Sequence, residues 1–171
     1  SKRKEAEVKV IYPPHTVSNP EGPTLFIAGS IEMDTASRWQ NEVIRHLADY
    51  QGTLLNPRRK EWNSSWQQTI ENPHFREQVV WELQGIEQSD HVAFYFDPAT
   101  KSPVTLLELG LAIGLGKRIH LACPHGFWRK GNVDVIASRR SLVMHTSLAA
   151  LITALQAILP THRKEHCHGK D

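Results

Sequence analysis

The chain has 171 residues, 40% of them hydrophobic, with five tryptophans and a formal charge of +2, a composition that suits one domain with a sizeable core. Its lysines and arginines are scattered or gathered at the two ends, so no basic stripe marks a nucleic-acid groove, and polymeric DNA or RNA is not an expected partner. The longest apolar run, Val104 to Leu115, is broken by a glutamate and two glycines and is too short to span a bilayer.

The N-terminus, SKRKEAEVKV, has no apolar segment of the kind that directs secretion. The two cysteines, Cys123 in an apolar segment and Cys167 in a polar one, read as free thiols rather than a disulfide framework. A soluble, cytoplasmic protein is expected.

Residues 1–11 and 161–171 are polar and charged and read as flexible tails around a single domain over 12–160. His166, Cys167 and His168 lack further ligands at zinc-site spacing, so no metal site is expected there. Thr24 to Gly29 (TLFIAG) predicts a buried strand. Arg38 to Tyr50 predicts an amphipathic helix with Trp39, Val43 and Leu47 on one face. A second strand follows at Gly52 to Pro57. Asn72 and Pro73 form a natural cap and first residue for a helix reaching about Gln88. His91 to Phe96 predicts a third strand, Ser102 and Pro103 open an apolar helix, and Arg118 to Cys123 predicts a fourth strand. Leu142 to His145 is a possible fifth strand and Ser147 to Leu159 a closing helix. Short apolar strands alternating with helices imply a doubly wound α/β fold, with about five mostly parallel strands and helices on both faces. Ligands in such sheets bind beyond the carboxyl ends of the strands, which directs attention to GSIEMD, NPRRKEW, DPATKSP and PHGFWRKGN.

Two carboxylates sit where helices have no polar face to offer. Glu108 has Val104, Leu111, Ala112 and Leu115 as its helical neighbours, so it is either buried with partners, open to a cleft, or a surface group on an interface helix. In the preceding helix Phe75, Val79, Leu83 and Ile86 form an apolar stripe, and at about 100° per residue Glu82 falls within it, whereas Glu77 and Glu87 point elsewhere. The plain alternative for Glu82 is a cap or an arginine pair. If the two meet at the top of a parallel sheet, they suit a nucleophile and a proton donor of the kind that breaks glycosidic bonds. Desolvation would then make an acid of whichever lacks a cationic neighbour.

The segments LFIAGSI, NPRR, WELQGIEQSDHVAFYF, TKSPVTLLELGLAIGLGK and GFWRKGNVD together resemble the nucleoside 2-deoxyribosyltransferase superfamily, in its deoxyribosyltransferase-like branch, over roughly Tyr12 to Val135. The resemblance implies a flavodoxin-like fold and transfer of 2-deoxyribose between nucleobases through a covalent glycosyl-enzyme, with no cofactor. It assigns the nucleophile to the glutamate of ELG, here Glu108. It assigns the proton donor to the segment before the third strand, here Glu82-Leu83-Gln84-Gly85-Ile86, with Glu in place of the family's Asp. Where the family commonly has an Asp six residues before the nucleophile, this chain has Ser102, as in related 2'-deoxynucleoside 5'-monophosphate N-hydrolases that bind phosphate there. Those hydrolases follow GSI with arginine and glycines, whereas here Glu32, Met33 and Asp34 follow. An unphosphorylated nucleoside is therefore expected unless Arg58, Arg59 or Lys101 supplies charge.

The remaining candidates for substrate contact are Gly29 and Ser30 after the first strand, Asn56 and Arg58 after the second, and Trp81 among Trp62, Trp66 and Trp128 as a base-stacking wall. Asn132 matches, within a residue, an Asn that a neighbouring subunit contributes in the family, or it is simply a turn residue; the first reading implies a homo-oligomer with shared sites. The competing expectations are hydrolysis of the same bond in a 5'-monophosphate and a module that binds a nucleotide without turnover.

Overall fold

A computed structural model describes residues 8–31, 38–59 and 61–161. Six strands, β1 (Lys9–Ile11), β2 (Thr24–Gly29), β3 (Thr53–Leu55), β4 (His91–Tyr95), β5 (Arg118–Ala122) and β6 (Met144–His145), form one sheet in the order β1-β3-β2-β4-β5-β6. Every strand pair in it is parallel. Among the described residues five helices flank it: α1 (Trp39–His46), α2 (Pro73–Gln88), α3 (Pro103–Gly114), α4 (Lys130–Arg139) and α5 (Leu148–Ile158). The architecture is the flavodoxin-like, doubly wound α/β fold, with β1 as an added edge.

Strand alternation distributes the core between the two faces. Phe26 and Ala28 of β2 join Val92 and Phe94 of β4, Leu109 and Ala112 of α3, and Val133 and Ala137 of α4. Leu25 and Ile27 face the other way, against Trp39 and Val43 of α1 and Leu151 and Leu155 of α5. Each fully buried valine, leucine, isoleucine or phenylalanine among these contributes roughly 1.5–3 kcal/mol.

Several starts and stops follow from local chemistry. Asn72 caps α2 by accepting from the backbone N–H groups of His74 and Phe75, and Pro73 occupies the first turn. Ser147 caps α5 through the amide of Ala150. Asp90, just before β4, accepts from Thr24 N at 2.8 Å and from its hydroxyl at 3.0 Å, pinning the start of β4 to the start of β2. The first of these bonds is the main reason its carboxyl lies below its usual range.

Three differences from the sequence expectation have physical causes. The sheet begins at Lys9, inside the expected N-terminal tail, because β1 is a half-exposed edge strand whose pairing to β3 leaves little alternation to read. α4 occupies a segment to which the sequence reading assigned no helix: it buries only Val133 and Ala137, too few for a helical stripe. The buried face of α2 consists of Gln78, Trp81, Glu82, Gly85 and Ile86, while Phe75, Val79 and Leu83 are half-buried at its edge. Gly85 rotates this face inward: a Cβ there would stand 2.6 Å from the Phe26 ring, an approach that only glycine permits.

Candidate active site

The carboxyl ends of β2, β3 and β4 and the helices α2 and α3 bring most of the candidates to one edge of the sheet. Gly29 and Ser30 end β2 and are buried. A Cβ on Gly29 would meet the Trp39 ring at 2.4 Å and the Tyr95 carbonyl at 2.5 Å, so glycine lets α1 close over the strand end, where the Trp39 indole donates to Ser30 O at 3.1 Å.

Ser30 belongs to a ring of hydroxyls. Its Oγ lies 2.6 Å from Ser102 Oγ and 2.8 Å from Thr100 Oγ1, and the latter two are 2.7 Å apart. The Asp97 amide donates to Ser30 Oγ at 2.9 Å, while Thr100 donates to the Asp97 carbonyl at 2.9 Å. With the Thr100 hydrogen committed, two hydroxyl hydrogens serve three close contacts, so a ligand that accepts the Ser102 hydrogen would have to break one of them. Ser102 is left-handed, with φ of 48°, and it starts α3 without capping it through its side chain. Such a residue costs about 1–2 kcal/mol. The ring holds it in that conformation, and with it the entry angle of the helix that carries Glu108.

Glu82 and Glu108 are 8% and 7% exposed. They lie on the packed helices α2 and α3, close enough for Glu82 to act electrostatically on Glu108. Burial pushes Glu82 up to about 7, opposed by a hydrogen bond from Gln78. Burial also pushes Glu108 up to about 8, and the neighbouring Glu82 adds to the rise. Neither of the plain alternatives holds: Glu82 forms no arginine pair among the described residues, and Glu108 is not a surface group. A buried pair of carboxyls that share proton affinity is poised for acid, base or nucleophilic chemistry near neutral pH.

Asn56 is buried at the end of β3 and accepts from Arg58 N at 3.0 Å, while Arg58 Nη1 donates to Gln40 Oε1 at 3.2 Å. Gln78, which the sequence reading missed, joins this strand end to the carboxylates: its Nε2 donates to Pro57 O and to Glu82 Oε1, each at 2.8 Å. Its spacing of four residues before Glu82, on the same helix face, is the signal that could have found it. Gln40, Thr100 and Asp97 were missed as well; the last two lie in the post-strand segment DPATKSP, where the strand-end rule points.

Two candidates are not brought to the pair. Trp81 packs on Phe26, its indole donates to the His15 carbonyl at 2.8 Å, and it borders a cavity of about 190 Å³ that includes none of the other candidates. Asn132 is exposed in the first turn of α4, beside a groove of about 510 Å³ formed with Leu106, Leu109 and Gly110 of α3, and neither carboxylate lines it. Trp62 packs on Trp66, which stacks on His74, and Lys101 and Arg129 each lie over the Trp128 ring. Glu32, Met33 and Asp34, and the His166-Cys167-His168 run, lie outside the described residues.

Among the described residues no group of three or more His, Cys, Asp or Glu side chains is placed to hold a metal ion. No helix among them is long and apolar enough to cross a membrane.

No curated protein matches the chain. The family model described as nucleoside 2-deoxyribosyltransferase like matches residues 22–127, a span that contains both carboxylates, the hydroxyl ring and the β3 strand end but stops short of Asn132. With well over half of its length inside that match, the chain belongs to the nucleoside 2-deoxyribosyltransferase-like family.

Proposed function

We propose that the protein cleaves the N-glycosidic bond of 2'-deoxynucleosides and transfers the deoxyribose to another nucleobase, with Glu108 as nucleophile and Glu82 as acid. The observation that carries this reading is the pair itself: two buried glutamates on adjacent helices, at the edge of the sheet where such folds bind ligands, with no cation among the described residues to neutralise them.

A Glu108 oxygen attacks C1' as the bond to the base nitrogen breaks, and the Glu82 proton goes to that nitrogen. The products are a neutral base, an ester between C1' and Glu108, and a Glu82 carboxylate. An incoming base attacks C1', expels Glu108 as carboxylate, and gives its N–H proton to Glu82. Two displacements preserve the configuration at C1'. Water in place of the second base gives hydrolysis. These steps use no metal and no organic cofactor.

Asn56 and Arg58, linked to Glu82 through Pro57 and Gln78, are positioned to meet base or sugar. The commitment of Ser102 to the hydroxyl ring favours an unphosphorylated nucleoside. The outer face of α3, where Val104, Leu107 and Leu115 are exposed, adjoins Glu108 and suits a second copy of the chain, which would bring in Asn132 from outside the subunit. A Leu107→Asp change should then lower the mass measured by sedimentation.

The test is chromatography of the protein incubated with 2'-deoxynucleosides and their 5'-monophosphates, with and without a second base. A new deoxynucleoside is expected, lost in Glu108→Gln and reduced about 10²–10⁴-fold in Glu82→Gln. Free base from monophosphates alone would make the protein a hydrolase. Binding without turnover, unchanged in Glu108→Gln, would make it a binding module.

A further inference from the structure

Glu82 and Glu108 have different surroundings. One turn before Glu82, Gln78 donates from Nε2 to two acceptors at once, Glu82 Oε1 and Pro57 O, both at 2.8 Å. Chemistry fixes the orientation of this amide: turned over, its oxygen would face the Pro57 carbonyl, which has no hydrogen to give. The arrangement has a cost, since Gln78 Oε1 is buried without a partner among the described residues. A buried amide that leaves one end unsatisfied in order to hold a carboxylate is placed for what it does to that carboxylate. Glu108 receives no hydrogen bond among the described residues, and the charged group that acts on it is Glu82. Of the two arginines after β3, Arg58 donates to Gln40 and Arg59 pairs with Glu77.

We propose that Gln78 is a positioning residue that decides which carboxyl of the pair holds the proton, keeping Glu82 ionised and Glu108 protonated until substrate arrives. It rests on the reading above, in which the reaction needs the opposite distribution. One proton therefore leaves a Glu108 oxygen and one arrives on Glu82 before the glycosidic bond breaks, and the pair carries a single negative charge throughout. A bound nucleoside supplies the drive: the lone pair of a base nitrogen beside Glu82 favours its neutral form, and once Glu82 is neutral its charge no longer opposes ionisation of Glu108. The ligand-free protein thus keeps its nucleophile masked. The two carboxyls' proton affinities agree with this order, since burial raises both and the bond from Gln78 opposes the rise only at Glu82.

The experiment is a carboxyl ¹³C NMR titration of the full chain labelled at glutamate, with Glu82→Gln and Glu108→Gln used to assign the two signals. In the wild type Glu82 is expected to titrate below Glu108. Gln78→Met, similar in length but without a donor, is expected to raise the Glu82 midpoint by about one to two pH units, the worth of one hydrogen bond to a charged group, and to reverse the order. A 2'-deoxy-C-nucleoside, whose carbon–carbon glycosidic bond resists displacement, is expected to reverse it in the wild type. Should Gln78→Met not fold, Gln78→Asn, too short to reach both acceptors, gives the same reading. An unmoved Glu82 midpoint, a wild-type Glu82 above Glu108, or no reversal with the C-nucleoside overturns the proposal. Base exchange that requires Glu108 alongside any of these results sinks the proton placement and leaves the transferase reading standing. The expected titrations without turnover of any nucleoside do the opposite.

Discussion

Ser30 and Ser102, 72 residues apart in the chain, hold their hydroxyls 2.6 Å apart at the carboxyl edge of the sheet. This contact, closed into a ring by Thr100, ties the end of β2 to the first residue of α3. Ser30→Ala removes the acceptor of the Asp97 amide as well as two hydroxyl contacts, and should destabilise the fold by about 1–3 kcal/mol. Urea unfolding would show a lower midpoint with an unchanged slope. Ser102→Gly loses a hydroxyl but relieves a left-handed backbone worth about 1–2 kcal/mol, so its midpoint should fall closer to the wild type.

Glu82 and Glu108 make the fold sensitive to base. Their folded values, about 7 and about 8, lie above the ordinary 4.5, so the folded chain retains protons that the unfolded chain has released. The stability due to the neutral forms is complete below about 4.5 and is lost as pH rises through about 7 and 8. Glu108→Gln should therefore melt above the wild type at about pH 9, with the difference shrinking toward about pH 5. Equal melting points at the higher pH would refute this.

On the acid side one contribution comes from His91 and His120, whose ring nitrogens lie 3.0 Å apart across adjacent strands. Burial, then His91 and His145, push His120 down to about 4. Burial, then Arg118, lower His91 against the pull of Asp90. The unfolded chain takes up protons first, so this contribution is complete above about 6.5 and fades as pH falls toward about 4. In His120→Gln the loss of melting temperature between about pH 7 and about pH 5 should be smaller than in the wild type.

Gly85 is the point where α2 touches the sheet most closely. Gly85→Ala would place a Cβ 2.6 Å from Phe26 Cε2 and 2.7 Å from Cδ2, and a buried ring against the sheet has little room to yield. A loss of about 1–3 kcal/mol is expected on denaturant unfolding. Because Glu82 and Gln78 share this helix face, the glutamate midpoints in the NMR titration should shift as well.

The glutamates were legible in the sequence because helical periodicity is a local signal: a carboxylate inside an apolar stripe stands out whatever the helix later packs against. Strand and helix order were legible for the same reason, and so was the cap at Asn72. The short edge strand at Lys9 and the helix at Lys130 were not, since each buries too little for a period to show.

The sequence by itself determined that two carboxylates would stand among apolar neighbours on helices of a parallel α/β fold, with no polar face to share, and the structure buries both. Only the tertiary structure decided what surrounds them. The pairing of β2 with β4 set Ser30 against Ser102, the end of β3 brought Pro57 to Gln78, and the packing of α2 on α3 set Glu82 to act on Glu108. It likewise turned Trp81 into the core beside Phe26 and left Asn132 outside. These relationships depend on strand order and register, which follow from the simultaneous burial of all the elements and which no single segment encodes.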